Sequence, residues 1–346
     1  MIKRVVDPTI AVLSALVLAG GLTTACGGST GESTEEIGAP PSGRQAGLET
    51  LPESRAESAR PEERFEFTSY IEVGELFEEL GYTPETWAAG IREVPRVYLT
   101  TIAPRWRDRV SAEVTVIEKK RIFFRSLAPL ALRSNEFILR DRARLEEIRP
   151  RVTGSGDLSA DERLWLSELA VAYGVVKDAD AALDAAVLDE LLVRVDVVPV
   201  SLALSQCAEE SGWGTSRFAA EGNALFGQWS WGGKGIKPLQ QREGMGDYRI
   251  AAFETPLQSV MAYMRNLNTH NAYAGLRARR AELRAKGERL SGFELAKTLD
   301  KYSERGAAYV ESLHGIMRVN QLDPADDAFL GDGPTIWLIP IGEGAK

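Results

Sequence analysis

The chain has 346 residues, 44% of them hydrophobic, which allows a buried core and one to three domains. Its formal net charge of −9 at pH 7, with no Lys/Arg-rich run, argues against a nucleic-acid partner and against purely electrostatic adhesion to anionic lipid. Two histidines, His270 and His314, and two cysteines, Cys26 and Cys207, do not make a His- or Cys-rich zinc site, so neither a metal nor a cofactor is implied.

Residues 1–26 read as an export signal: Lys3 and Arg4, an apolar core over Ile10–Leu18, then small residues. The apolar run is too short for a comfortable membrane span. Leu22–Ala25 followed by Cys26 resembles a bacterial lipoprotein processing site, in which the cysteine is lipidated and becomes the N-terminus. Leu22 sits one place early and Thr23 occupies its slot, so an ordinary cleaved signal or an uncleaved anchor stays open. Residues 27–64, rich in Gly, Ser, Pro and Glu, are expected to be a disordered tether. The expected location is the periplasmic side of the cell envelope, with a lipid anchor in the outer membrane. With Cys26 modified, Cys207 has no disulfide partner.

Residues 65–194 are expected to be mostly helical. Val73–Leu80 has helical spacing stopped by Gly81, and Thr83–Pro84 reads as a cap followed by a first-turn proline. Val110–Leu132 carries the longest helical period. Asp161–Tyr173 and Ala179–Val193 follow, with Asp161 and Asp178 as caps.

Chemistry concentrates in Val200–Trp231. Pro199 starts a helix whose inward face carries Val200, Leu204, Cys207, Ala208 and Ser211. Glu210 falls at the margin of that face, above Ala203 and Gln206, and Glu209 about 100° further round, on the more exposed side. A partly desolvated carboxyl keeps its proton near neutral pH, which suits Glu210 as a general acid; a surface glutamate at a helix end is the plain alternative. Gly212 and Gly214 allow a left-handed stop and close backbone approach, and Thr215 caps the next short helix. Cys207, with no histidine near it in sequence, reads as core and not as a nucleophile.

Ser205–Gln228, SQCAEESGWGTSRFAAEGNALFGQ, resembles the catalytic helix and turn of the glucosaminidase family that includes FlgJ-type flagellar and autolysin enzymes. The Gln228–Trp229 continuation is similar to the Bax-type members, and the resemblance covers about Val197–Leu322, with a weaker likeness over Tyr70–Ile148. It implies a mainly α (α+β) protein with a lysozyme-like catalytic domain at 195–322, a helical region before it and a tail at 323–346. It also implies hydrolysis of the β-1,4 bond after N-acetylglucosamine in peptidoglycan, with the acid on Glu210. The glycan-holding candidates are Trp213, Asn223, Phe226, Gln228, Trp229 and Tyr309; of the tryptophans, Trp213 reads rather as core and Trp229 as cleft.

After the motif, Ile236–Glu243 and Asp247–Phe253 read as a hairpin closed by Gly244–Gly246. A glycosidase ordinarily needs a second group near its acid. Family relatives carry a glutamate on the hairpin, which points to Glu243, with Asp247 beside it; Tyr302 or the substrate's own acetamido group are the alternatives. Thr255–Pro256 opens another helix, ending at Asn268–His270, where either cleft contacts or plain helix-end hydrogen bonding fits. Phe293–Tyr302 and Ala307–Val319 are the closing helices, and Tyr302–Tyr309 resembles the family's tyrosine segment without its Asp–Pro. In the tail, Ile336–Ile341 reads as a strand. The rival functions are a lytic transglycosylase forming 1,6-anhydro ends and a non-catalytic glycan-binding lipoprotein.

Overall fold

The organising element is the 38-residue helix Val116–Thr153, capped by Thr115, whose hydroxyl accepts from the Glu118 amide. The computed structural model describes residues 60–154, 156–230, 235–241 and 246–344. The sequence period over Val110–Leu132 misplaces this helix. The chain breaks at Val114, which is extended, and the helix then runs through Pro129, where a helix would be expected to end. Arg125–Asn135 is buried continuously, because the helices Ala185–Arg194, Val200–Ser211 and Pro256–Thr269 and the strand Val97–Leu99 pack around it. Enclosure on every side outweighs the one hydrogen bond that the proline removes.

The helix Val200–Ser211 lies against the long helix and is buried from Val200 to Ala208. Its start is fixed by Asp326, whose carboxylate accepts from the Ser201 amide, the Ser201 hydroxyl and the Gly292 amide, each at 2.8 Å. Gly292 is needed there, since a Cβ would lie 2.7 Å from the Leu202 nitrogen. The helix stops at Gly212 in the left-handed region (φ 56°, ψ 49°), as its sequence predicts.

The tail expected at 323–346 is structural. Thr335–Pro340 is the middle strand of a parallel three-stranded sheet, between Glu62–Phe67 and Val97–Leu99. Residues 62–64, expected to belong to the tether, are therefore part of a strand. A second parallel pair joins Glu93–Val94 to Phe329–Leu330. Since parallel strands need long connections, the sheets tie the front and the tail of the chain to one body.

The β-excursion forms with different partners. Arg249–Ile250 pairs antiparallel with Trp229–Ser230, and the expected arm from Ile236 contributes a single bridge to Ile250. The helix expected at Ala179–Val193 begins at Ala185 with Asp184 as cap, not Asp178. Ser159, not Asp161, caps Ala160–Ala172, and Ser216, not Thr215, caps Arg217–Gly222. Phe293–Tyr302 shortens to Gly292–Ala296. Ala307–Val319 forms over its whole expected span. The molecule is mainly α with small sheets. Among the described residues no helix is long and apolar enough to cross a membrane.

Candidate active site

Glu210 sits in the last turn of Val200–Ser211, half-buried, against the helix Ala307–Val319. The Tyr309 hydroxyl donates to its Oε1 at 2.8 Å. Tyr309 in turn accepts from Gln206 Nε2 at 2.9 Å, and Gln206 Oε1 accepts from the Tyr263 hydroxyl at 2.6 Å. Each donor in this chain points toward the carboxyl, so the chain favours the charged form of Glu210. Burial acts the other way and is stronger: the Glu210 carboxyl is pushed up to about 7, with the Tyr309 hydrogen bond opposing and the Glu209 charge adding to the rise.

Four tyrosines enclose this end of the helix. Tyr302 stacks on Tyr309 with centroids 5.3 Å apart and planes 5° apart, and Tyr273 lies tilted 5.6 Å from Tyr302. Phe226 stacks face to face on Tyr263 at 3.8 Å. Burial raises the phenols of Tyr263, Tyr302 and Tyr309 well above their ordinary range, so they act as neutral hydrogen-bond donors and apolar walls. Glu209, the neighbouring carboxylate, faces the same helix; it accepts from Ser312 Oγ at 2.9 Å and is ion-paired to Arg305. Glu209, expected on the more exposed side of the pair, is thus partly covered, because the turn Ser303–Gly306 reaches over it.

The other sequence candidates divide by what their polar atoms already hold. Asn223 is a structural residue: its Oδ1 accepts from the Ile102 amide and the Thr101 hydroxyl, and its Nδ2 donates to the carbonyls of Phe253 and Glu254. At φ 52° it also caps Arg217–Gly222, and no polar atom of its side chain is left for a glycan. Trp213, at φ 61°, packs its ring against Phe123 and Phe124, with Lys120 Nζ 4.6 Å over the face. Phe226 is buried beneath Tyr263, and Trp229 is buried and stacked on Tyr248 at 4.3 Å. Gln228 is buried with its Oε1 lacking a hydrogen-bond partner among the described residues.

Asp247 is exposed on the hairpin and held below the usual carboxylate range by its hydrogen bond from Gln241, with Lys237 and Arg249 nearby. Asn268 is consumed by Asp196 and Arg280, and His270 caps the turn after its helix through Nδ1. Cys207 is buried and its thiol is pushed far up by desolvation, as a core residue would be. Glu243, Trp231 and Cys26 lie outside the described residues.

Sequence reasoning set Gln206 beneath Glu210 without assigning it a hydrogen-bonding role, and missed Tyr263, Arg305 and Ser312 as neighbours of the acid. Gln206 had a signal, since it lies one turn before Glu210 on the same helix and is a glutamine on an otherwise apolar face. The other three come from segments distant in the chain.

Residues 185–322 match the family model described as mannosyl-glycoprotein endo-beta-N-acetylglucosaminidase. Protein bax of Escherichia coli (strain K12) is 31% identical over 203 residues, covering 59% of this chain and 70% of that protein. No solved structure matches the chain. The matched stretch holds Glu210, Gln206, Tyr263, Tyr302 and Tyr309, and the relative extends well beyond it, so the chain belongs to the glucosaminidase family as a Bax-type member.

Proposed function

We propose that the protein is a peptidoglycan hydrolase that cleaves the β-1,4 bond after N-acetylglucosamine, with Glu210 as general acid. The observation that carries this reading is the Glu210 carboxyl itself, raised to about 7 by burial and tied to Tyr309. About half protonated at pH 7 and more so below it, the carboxyl gives its proton to the glycosidic oxygen as the sugar develops oxocarbenium character. The carboxylate left behind is stabilised by the donor chain from Tyr263 through Gln206 and Tyr309. On this reading the enclosing helices form a lysozyme-like cleft, and Tyr302 or Glu243 assists across the sugar ring.

Among the described residues Glu210 is the one of the adjacent pair left available, since Glu209 is held by Arg305 and Ser312, and this also fits a lytic transglycosylase. Mass spectrometry of purified peptidoglycan digested by the protein separates the readings. New reducing-end N-acetylglucosamine, falling about 100- to 10,000-fold in Glu210→Gln, is the expected outcome. Wild-type activity should decline as pH rises through about 7, where Glu210 loses its proton. Anhydro-muropeptides would instead assign a transglycosylase, and binding without cleavage a glycan-binding protein.

We also read the protein as exported and lipid-anchored through Cys26, on the strength of the leader, the Leu22–Cys26 site and the polar stretch after it. Metabolic labelling with a fatty-acid probe should mark the wild type and not Cys26→Ala. Equal labelling of both would refute the anchor.

A further inference from the structure

Two adjacent carboxylates, Glu209 and Glu210, grip the same helix at positions three residues apart, Ser312 and Tyr309. Arg305 comes from the turn just before that helix and pairs with Glu209, and Gly306 at φ 53° redirects the chain between Arg305 and Tyr309. The ion pair therefore fastens the last turn of Val200–Ser211 to the first turn of Ala307–Val319. That is where the phenol that touches Glu210 is anchored. We propose that Glu209 and Arg305 form a positioning pair for Glu210, seating Tyr309 on the acid and balancing opposed charges beside its carboxyl.

The balance follows from what faces Glu210. Tyr309 and Tyr302, with Tyr263 from the helix Pro256–Thr269 and Tyr273 from the turn after it, are neutral phenols, and Cys207 on the helix of Glu210 is a neutral thiol. Among the described residues the charges that act on Glu210 are Glu209, which raises its proton affinity, and Arg305, which lowers it. Arg305 is half exposed, so water screens each effect and neither alone sets the value that burial dictates. Removing one member should unmask the other. Arg305→Gln leaves Glu209 unopposed and moves the Glu210 midpoint up; Glu209→Gln removes the negative charge while its amide oxygen still accepts from Arg305 or Ser312, so Tyr309 stays seated and the midpoint moves down.

The inference rests on the reading of Glu210 as the acid, but its test does not need turnover. Carbon-13 NMR of the full chain, with the Glu210 carboxyl assigned by its absence in Glu210→Gln, follows the titration directly. Shifts of about half a pH unit in opposite directions are expected for the two variants, with Arg305→Lys near wild type and the double variant between them. Unchanged midpoints, or shifts in the same direction, overturn the proposal. Glu209→Gln is isosteric, so its downward shift alone decides the matter should Arg305→Gln unfold in a melting measurement. If peptidoglycan were cut equally by Glu210→Gln, the hydrolase reading would fail while the titration still judged the pair.

Discussion

At the scale of single residues, Glu210 combines two tendencies that oppose each other in stability. A carboxyl raised to about 7 in the folded chain, against about 4.3 in an unfolded one, binds its proton more tightly when folded. Between those values the folded state holds more protons than the unfolded one, so stability falls as pH rises from about 4 to 7. Below that window the carboxyl is neutral in both states and contributes no difference. Glu210→Gln keeps an acceptor for Tyr309 and removes the buried charge, so it should stabilise the protein at pH 8 by at most about 4 kcal/mol and leave it nearly unchanged at pH 4. Melting temperatures of both proteins across that range check this. A glutamine variant less stable at pH 8 would mean that the carboxylate is better solvated than its surroundings imply.

At the scale of elements, the site depends on how the turn after Glu210 is braced from outside its own segment. The Trp106 indole donates to the Trp213 carbonyl at 2.8 Å, and Gly214, at φ 75°, passes so close that a Cβ would meet that indole nitrogen at 2.9 Å. Gly214→Ala suffers both the left-handed backbone penalty and an overpacked contact, together roughly 3 kcal/mol. Urea unfolding should show the loss as a lower midpoint with an unchanged slope. The glycine pattern in Glu210–Gly214 makes the need for close approach legible in the sequence. What approaches is not legible, because Trp106 is over a hundred residues away and lies on a five-residue helix with little periodicity of its own.

At the scale of the whole molecule, the residues that match the family do not close a core by themselves. Asp326, which fixes the start of the central helix, lies beyond them, and so do the long helix Val116–Thr153 and the strand Thr335–Pro340. Each large apolar side chain that loses its burial costs about 1.5–3 kcal/mol, against a typical total stability of about 5–15 kcal/mol. Ile122, Leu127, Leu130, Leu145 and Ile148 of the long helix alone bury enough to decide the outcome. A fragment of residues 185–322 should therefore show no cooperative thermal transition by circular dichroism. A sharp transition in that fragment would make the front region an accessory.

The sequence by itself determined what local chemistry and short periods can encode: the helix Val200–Ser211 with its glycine stop, Glu210 at its inner margin, the capped helices at Thr83–Pro84 and Thr255–Pro256, and Cys207 as core. It also marked Ala307–Val319 and the late strand. Only the tertiary structure decided that Glu209 turns to Arg305, that Asn223 is consumed by backbone, that Pro129 is carried inside a helix, and that the tail is the middle of a sheet. The reason is common to all four. Each depends on a partner tens to hundreds of residues away, and no spacing along the chain records which distant group arrives to satisfy a buried charge, amide or strand edge.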